Sequence, residues 1–294
     1  MYFNSILLAA LLGAVAGQET VIRIRQTRLP FRNGSREDSV HSQLGTLRHI
    51  QTLQLDDADN PDDTDFFWFT SIIAKEDGSG LLAISNGLFA VMDLSPSKDY
   101  EFDVAAVTMY PIRNPGGGIE EYDAAGLTIN GPYRGGGGGD LIVSATDERQ
   151  LGESDGGEPF IPTDTAELSN GDIMILFAKE DEDMMRIGYV TRDELRQAIF
   201  GKGTLRPEFI AELARRDGDM AKRDARHTIG EQTGLAIRED RTSGRIFLYM
   251  VNDNYWGDLG YNLLSTFEWI PAGRESPGWC QIDGVRYQLE RSRR

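Results

Sequence analysis

Four times along the chain an apolar run, a glycine-bearing turn and a second apolar run follow one another. The segments are SIIAKEDGSGLLAISN (71–86), AGLTINGPYRGGGGGDLIVSAT (125–146), AELSNGDIMILFAK (166–179) and TGLAIREDRTSGRIFLYMVND (233–253). Each reads as a β-hairpin, because glycine supplies the positive φ of a tight turn and runs of six or so β-branched and aliphatic residues suit strands. The second run of each is apolar at nearly every position, so it needs cover on both faces, which a lone hairpin does not provide. Stacking several such units around an axis does provide it. The expected fold is therefore all-β, a β-propeller; at about 40 to 50 residues per blade the chain holds about six blades. A β-sandwich built from the same hairpins is the competing architecture.

One stretch departs from the strand pattern. In TRDELRQAIF, Thr191 and Glu194 have the spacing of a capping box, and Gly201 follows as a stop signal, which predicts a short helix over about 191–200. The next stretch, RPEFIAELARRDGDMAKRDARH, mixes helix formers with charge and is also able to supply the outer strand of a blade; the region is read as an insertion on the propeller surface. Phe66, Phe67, Trp68 and Phe69 are too dense for a surface, and their alternation suggests strand core between blades.

The first residues, MYFNSILLAALLGAVAGQET, hold an apolar run from Ile6 to Ala16 ending in Ala14-Val15-Ala16. That pattern predicts a signal peptide over residues 1–16, removed on export, and a secreted or periplasmic protein. The run is shorter than the about 20 apolar residues a membrane span needs, so no membrane span is expected after cleavage. Residues 17–45 are a poorly patterned leader, and 46–294 form the propeller domain. With 47 acidic and 30 basic side chains the net charge is -17, which argues against a nucleic-acid partner and permits cation binding. Cys280 is the single cysteine, so the chain has no internal disulfide, and with no histidine near it in sequence it reads as a small hydrophobe. Asn33-Gly34-Ser35 fits the glycosylation pattern. The glycine run 135–139 lacks the Lys-Ser/Thr and the helix of a phosphate loop and reads as a hairpin tip.

The order and spacing of these units resemble the phytase-like domain family, whose name carries the label "esterase-like activity of phytase". The likeness is strongest from Ala166 to Trp269. There EQTGLAIREDRTSGRIFLYMVNDNYWGDLGYNLLSTFEW is similar to a closing blade with an EGLA-type strand, an SDDN-like cluster and a final LLxFE strand. The resemblance implies a secreted propeller whose loops gather acidic groups at the channel mouth, and hydrolysis of a phosphate or carboxylic ester. This chain carries Ala125 and Thr233 where that family has Glu, and Asn86 and Asn252 where Asp is usual. A catalytically degenerate propeller that binds a ligand or a protein partner is thus the alternative.

Without a usable thiol or a G-x-S-x-G elbow, a divalent ion held by oxygen donors is the first chemical route, since it polarises the ester oxygen and acidifies a bound water. The expected ligands are Asp253, Asn252, Asn254, Asp147 and Glu148, all following apolar runs, with Ca2+ as the cofactor. Asn86 and 180–183 occupy matching places, and each cluster alone also reads as a strand-ending Asx turn. His227 and Glu231 are the expected general base and its partner, and a small-molecule ester or phosphoester is the expected substrate. A two-carboxylate acid and base pair is the remaining route. Tyr255 and Trp256 follow the oxygen cluster, either lining a pocket or plugging the closure.

Overall fold

The structure is a computed structural model describing residues 8–10, 19–31, 38–60, 64, 66–85, 88–112, 124–130, 140–145, 160–179, 184–201, 205–214, 232–252, 262–273, 279–282 and 285–288. Its strands begin with β1 (Leu8–Ala10), β2 (Thr20–Ile22), β3 (Ile24–Leu29), β4 (Ser39–Ser42) and the long β5 (Gly45–Asp57). Next come β6 (Phe69–Ala74), β7 (Gly80–Ser85), β8 (Leu88–Pro96) and β9 (Phe102–Pro111), then β10 (Ala124–Asn130) and β11 (Asp140–Ala145). The second half holds β12 (Ile161–Glu167), β13 (Ile173–Lys179), β14 (Met184–Val190), the helix α1 (Arg192–Gly201) and β15 (Glu208–Ala214). Last are β16 (Gly234–Glu239), β17 (Ile246–Val251), β18 (Asn262–Pro271), β19 (Trp279–Ile282) and β20 (Val285–Gln288).

All pairings are antiparallel. They make four sheets of three or more strands, ordered β2-β9-β8-β7-β6, β1-β11-β10, β12-β13-β14-β15 and β16-β17-β18-β5-β3, with β4 also on β5, and a β19-β20 ribbon. No sheet closes on itself among the described residues. Every one of the four expected hairpins is present, as β6-β7, β10-β11, β12-β13 and β16-β17. Three of them turn through glycines with positive φ, Gly78, Gly171 and Gly244. Strands β2, β3 and β4 fall within the stretch expected to be a poorly patterned leader.

Period-two alternation explains the stacking. Along β17, Phe247, Tyr249 and Val251 join a core with Phe69, Ile72, Leu81 and Met92, whereas Ile246, Leu248 and Met250 join another with Met174, Leu176, Met185 and Ile187. Strand β7 behaves alike: Leu81 and Ala83 enter the first core, while Leu82 and Ile84 pack in a third with Phe89 and Leu127. Three successive cores between four sheets exceed the single core of a two-sheet sandwich. The first strands of the hairpins, each at the edge of its sheet, meet one another, with β16 against β6 and β12, and β10 against β6.

The helix begins where the capping box placed it. Thr191 Oγ1 donates to Glu194 Oε2 at 2.6 Å, and the Glu194 amide donates back to Thr191 Oγ1 at 3.3 Å. Asp172 adds a second cap by accepting from the Arg192 amide at 2.8 Å. The charged stretch after α1 supplies β15, an outer strand paired with β14. The aromatic run is only partly strand. Phe66 and Phe69 are fully buried with rings 5.1 Å apart, but β6 starts at Phe69 and Trp68 has φ +55°. Among the described residues no helix is long and apolar enough to cross a membrane.

Candidate functional site

The molecule has two unlike ends. At one, three hairpin turns are knitted together by charge: Arg241 pairs with Glu76, Ser169 gives its amide and hydroxyl to Glu239 at 2.5 and 2.9 Å, and the Arg238 guanidinium lies over Gly78. Strands β7, β13 and β17 all run away from that end. Their exits therefore share the opposite end, together with the starts of β6 and β16.

At that exit end buried polar groups tie strand termini to one another. Thr233 Oγ1 donates to the Phe69 carbonyl at 2.5 Å, joining the approach to β16 with the start of β6. The Asn262 carboxamide donates to the Phe66 carbonyl at 2.6 Å. Asn252, 1% exposed, accepts from the Leu263 amide at 2.5 Å and so clamps the exit of β17 to the start of β18. Asp57 accepts from the Asp59 and Asn60 amides and the Thr64 hydroxyl at 2.9, 3.1 and 2.9 Å, ordering the chain beyond β5. Burial opposes the Asp57 charge, yet these donors outweigh it and lower its pKa.

Where these first strands meet, Asp164 of β12 is the ionisable group at the junction. Its Oδ2 accepts from Ser71 Oγ of β6 at 2.9 Å and from the Leu235 amide of β16 at 2.8 Å. Ser71 Oγ in turn accepts from the Leu127 amide of β10 at 3.1 Å, so one carboxylate and one hydroxyl connect four sheets. The Thr165 amide donates to Oδ1 at 2.8 Å. Part of the residue reaches solvent, but its carboxyl is enclosed. Desolvation pushes its pKa up to about 7, against the lowering effect of the Leu235, Thr165, Ser71 and Ile72 donors.

Local backbone irregularity aims these groups. Register shifts fall between Pro162 and Asp164, between Phe69 and Ser71, and between Ala124 and Gly126, in the first strands of three different hairpins. A bulge inserts one residue and re-aims the next side chain, a device common beside functional sites. In β16 the close approach is met by Gly234 instead, where an added Cβ would stand 2.7 Å from Val251 Cγ2 and 3.1 Å from Ser71 Cα.

Of the expected site residues, Asn252 is described, and it acts as the clamp above. Asp253, Asn254, Asp147, Glu148, His227 and Glu231 lie outside the described residues, as do Asn86, 180–183, the glycine run 135–139, Asn33, Tyr255 and Trp256. Among the described residues no three His, Cys, Asp or Glu side chains gather as metal ligands do. Cys280 lies on β19. Sequence reasoning missed Asp164. Its available signal was an acid in the first strand of a hairpin unit, in IPTDTAE, where neighbouring units carry small or apolar residues.

No protein-family model matches the chain, and no curated protein matches it in sequence.

Proposed function

We propose that the protein is an exported β-propeller hydrolase of a phosphate or carboxylic ester, with its site at the strand-exit end. The observation that carries this reading is the common direction of β7, β13 and β17, whose exits share the end where β6 and β16 begin. In sequence, Asp253 and Asn254 follow the exit of β17, and Asp147 and Glu148 follow β11. Oxygen donors supplied from separate sheets at one mouth are what a calcium-assisted hydrolase requires, with His227 and Glu231 as proton carriers. The four larger sheets serve as blades, and about six is the number that 40 to 50 residues per blade gives. Export removes residues 1–16, and with them β1 from the edge of β11.

A specific observation favours the second reading, a propeller that binds without catalysis. Thr233 stands where the resembled family has Glu, and its hydroxyl is engaged on the Phe69 carbonyl as a fold contact. Purified mature protein is therefore assayed against p-nitrophenyl phosphate, p-nitrophenyl acetate and phytate, with calcium and with chelator. Turnover that calcium raises and Asp253→Ala abolishes supports the hydrolase. No turnover on any substrate, with a melting temperature indifferent to calcium, eliminates it and leaves the binding reading.

A further inference from the structure

Sheet β12-β13-β14-β15 buries one face against the sheet of β16, β17 and β18 and turns the other away from it. On that second face stands Arg186 of β14, in register with Phe177 of β13 and Glu212 of β15 and close to Lys179, where β13 exits. Its guanidinium carbon lies 3.9 Å from the centre of the Phe160 ring and 5.0 Å from that of Phe209, and Nε donates to Glu212 Oε2 at 2.7 Å. The rings are themselves seated. Phe209 meets Phe177 edge to face at 6.2 Å, and Phe177 fills space that only glycine at 188 leaves open, since a Cβ there would stand 2.9 Å from its ring. Two aromatic contacts and a carboxylate thus fix the guanidinium plane, while the side chain remains 32% exposed.

The edge that Arg186 leaves unused sets it apart. Arg23, Arg25, Arg28, Arg48 and Arg241 each commit an η nitrogen to a carboxylate. Arg186 commits Nε alone, and neither Nη1 nor Nη2 has a partner among the described residues. Such an edge carries parallel N–H donors whose spacing matches the oxygens of a carboxylate or phosphoryl group. With the plane already held, little side-chain freedom is left to lose on binding. Lys179 brings a second cation, its ammonium 6.0 Å from the centre of the same Phe160 ring. Two cations therefore face one carboxylate at this corner, in a chain whose net charge is -17. Phe209, 43% exposed, leaves apolar surface beside them.

We propose that Arg186 anchors a binding site for an organic oxyanion, a carboxylate or phosphoryl group carried on an apolar or aromatic body. The η edge takes the oxygens and Phe209 takes the body. The inference deepens the reading of the strand-exit end and rests on it for the link to turnover, whereas binding is measurable without turnover. Arg186 then selects the substrate, favouring p-nitrophenyl phosphate, which carries an anion, over the neutral p-nitrophenyl acetate, and takes no part in bond breaking.

The test titrates the purified protein at low ionic strength with phenylphosphonate, benzoate and the uncharged benzamide, while nitrogen-15 NMR follows the Arg186 Nε–H. Saturable binding of an anion that shifts this resonance, with benzamide inert, is the expected result, and the tighter anion identifies the head group. Arg186→Gln should weaken that anion at least about tenfold, and Arg186→Lys, which keeps the charge without the fork, nearly as much. Absence of saturable binding, wild-type affinity in either variant, or a resonance that stays still while others move overturns the proposal. The resonance is read on the wild type, so it decides even if the variants fail to fold. In turnover, Arg186→Gln should raise KM for p-nitrophenyl phosphate about tenfold and leave kcat and the acetate rate unchanged; an unchanged KM also overturns it. Anion binding intact in a protein that turns over no substrate sinks the hydrolase reading and leaves this site standing.

Discussion

Glu268 offers the most direct measure of how firmly neighbouring sheets are joined. It lies on β18, opposite Arg48 of β5 and Phe247 of β17, with a side chain only 2% exposed. Both of its oxygens engage the Arg245 guanidinium, one of them at 2.6 Å, and Arg48 reaches the same carboxylate at 2.5 Å. Arg245 is itself 9% exposed and stacks 3.8 Å from the centre of the Tyr100 ring, which belongs to the β8–β9 connection of the next sheet. Burial works against the Arg245 charge, but Glu268 and the Tyr100 hydroxyl outweigh it and raise its pKa. Glu268→Gln keeps the volume and one acceptor yet leaves Arg245 as a largely buried cation without its counter-charge. Removing one partner of a buried pair costs about 3–5 kcal/mol, and the half-exposed Arg48 places this site toward the lower figure. At about 2–4 °C per kcal/mol for a domain of this size, Tm should fall by roughly 6–12 °C. Thermal unfolding followed by circular dichroism reads this directly. Adding Arg245→Met to Glu268→Gln should cost less than the sum of the singles, with a coupling above about 1 kcal/mol. A Tm for Glu268→Gln within about 2 °C of wild type would refute the claim that this pair bears on cohesion.

Two further perturbations probe local steps of the fold. Asp172→Asn should weaken the start of α1, because Asp172 accepts from the Arg192 amide, the Tyr189 hydroxyl and Asn170, donors that outweigh its burial and lower its pKa. Wild type should therefore be more stable than the variant by about 1 kcal/mol at pH 7, and that margin should vanish as pH falls through the lowered Asp172 pKa, as urea titrations at several pH values will show. Gly234→Ala should destabilise by about 1–3 kcal/mol, since its Cβ meets Val251 and the Ser71 backbone; an unchanged denaturation midpoint would mean that β16 and β6 do not approach as closely as described.

Local features were the legible ones. Each hairpin turn is encoded locally and formed where it was read, although the first strand of the third hairpin, the largely polar IPTDTAE, starts at Ile161 ahead of the unit read from Ala166; the Thr191–Glu194 box likewise marked the start of α1. The pairing of β18 with β5 was not legible, because Leu264 opposite Leu53 is a contact between segments that nothing in either local pattern links. Strand β15 competed with a helical reading because FIAELA has helix formers, and pairing with Ile187 and Met185 of β14 decided for strand. Trp68 was read into a strand by its aromatic neighbours, whereas its positive φ ends the approach to β6. Asp164 escaped notice because its meaning depends on three other strands, none adjacent in sequence, and on a bulge that turns it inward. The oxygen cluster at 252–254 was legible as composition only; the structure shows what Asn252 does with its carboxamide.

The β5–β18 pairing also orders events in time. On a ribosome, β5 emerges early and presents Leu47, Leu53 and Leu55, side chains that finish fully or nearly fully buried, while their partner strand is still some two hundred residues from being made. Sheets built from neighbouring hairpins can form in the meantime, but β16, β17 and β18 have no outer strand to lie against until the earliest part of the chain folds back onto them. Completion thus comes in one late step, once β18 has been made and can pair with β5.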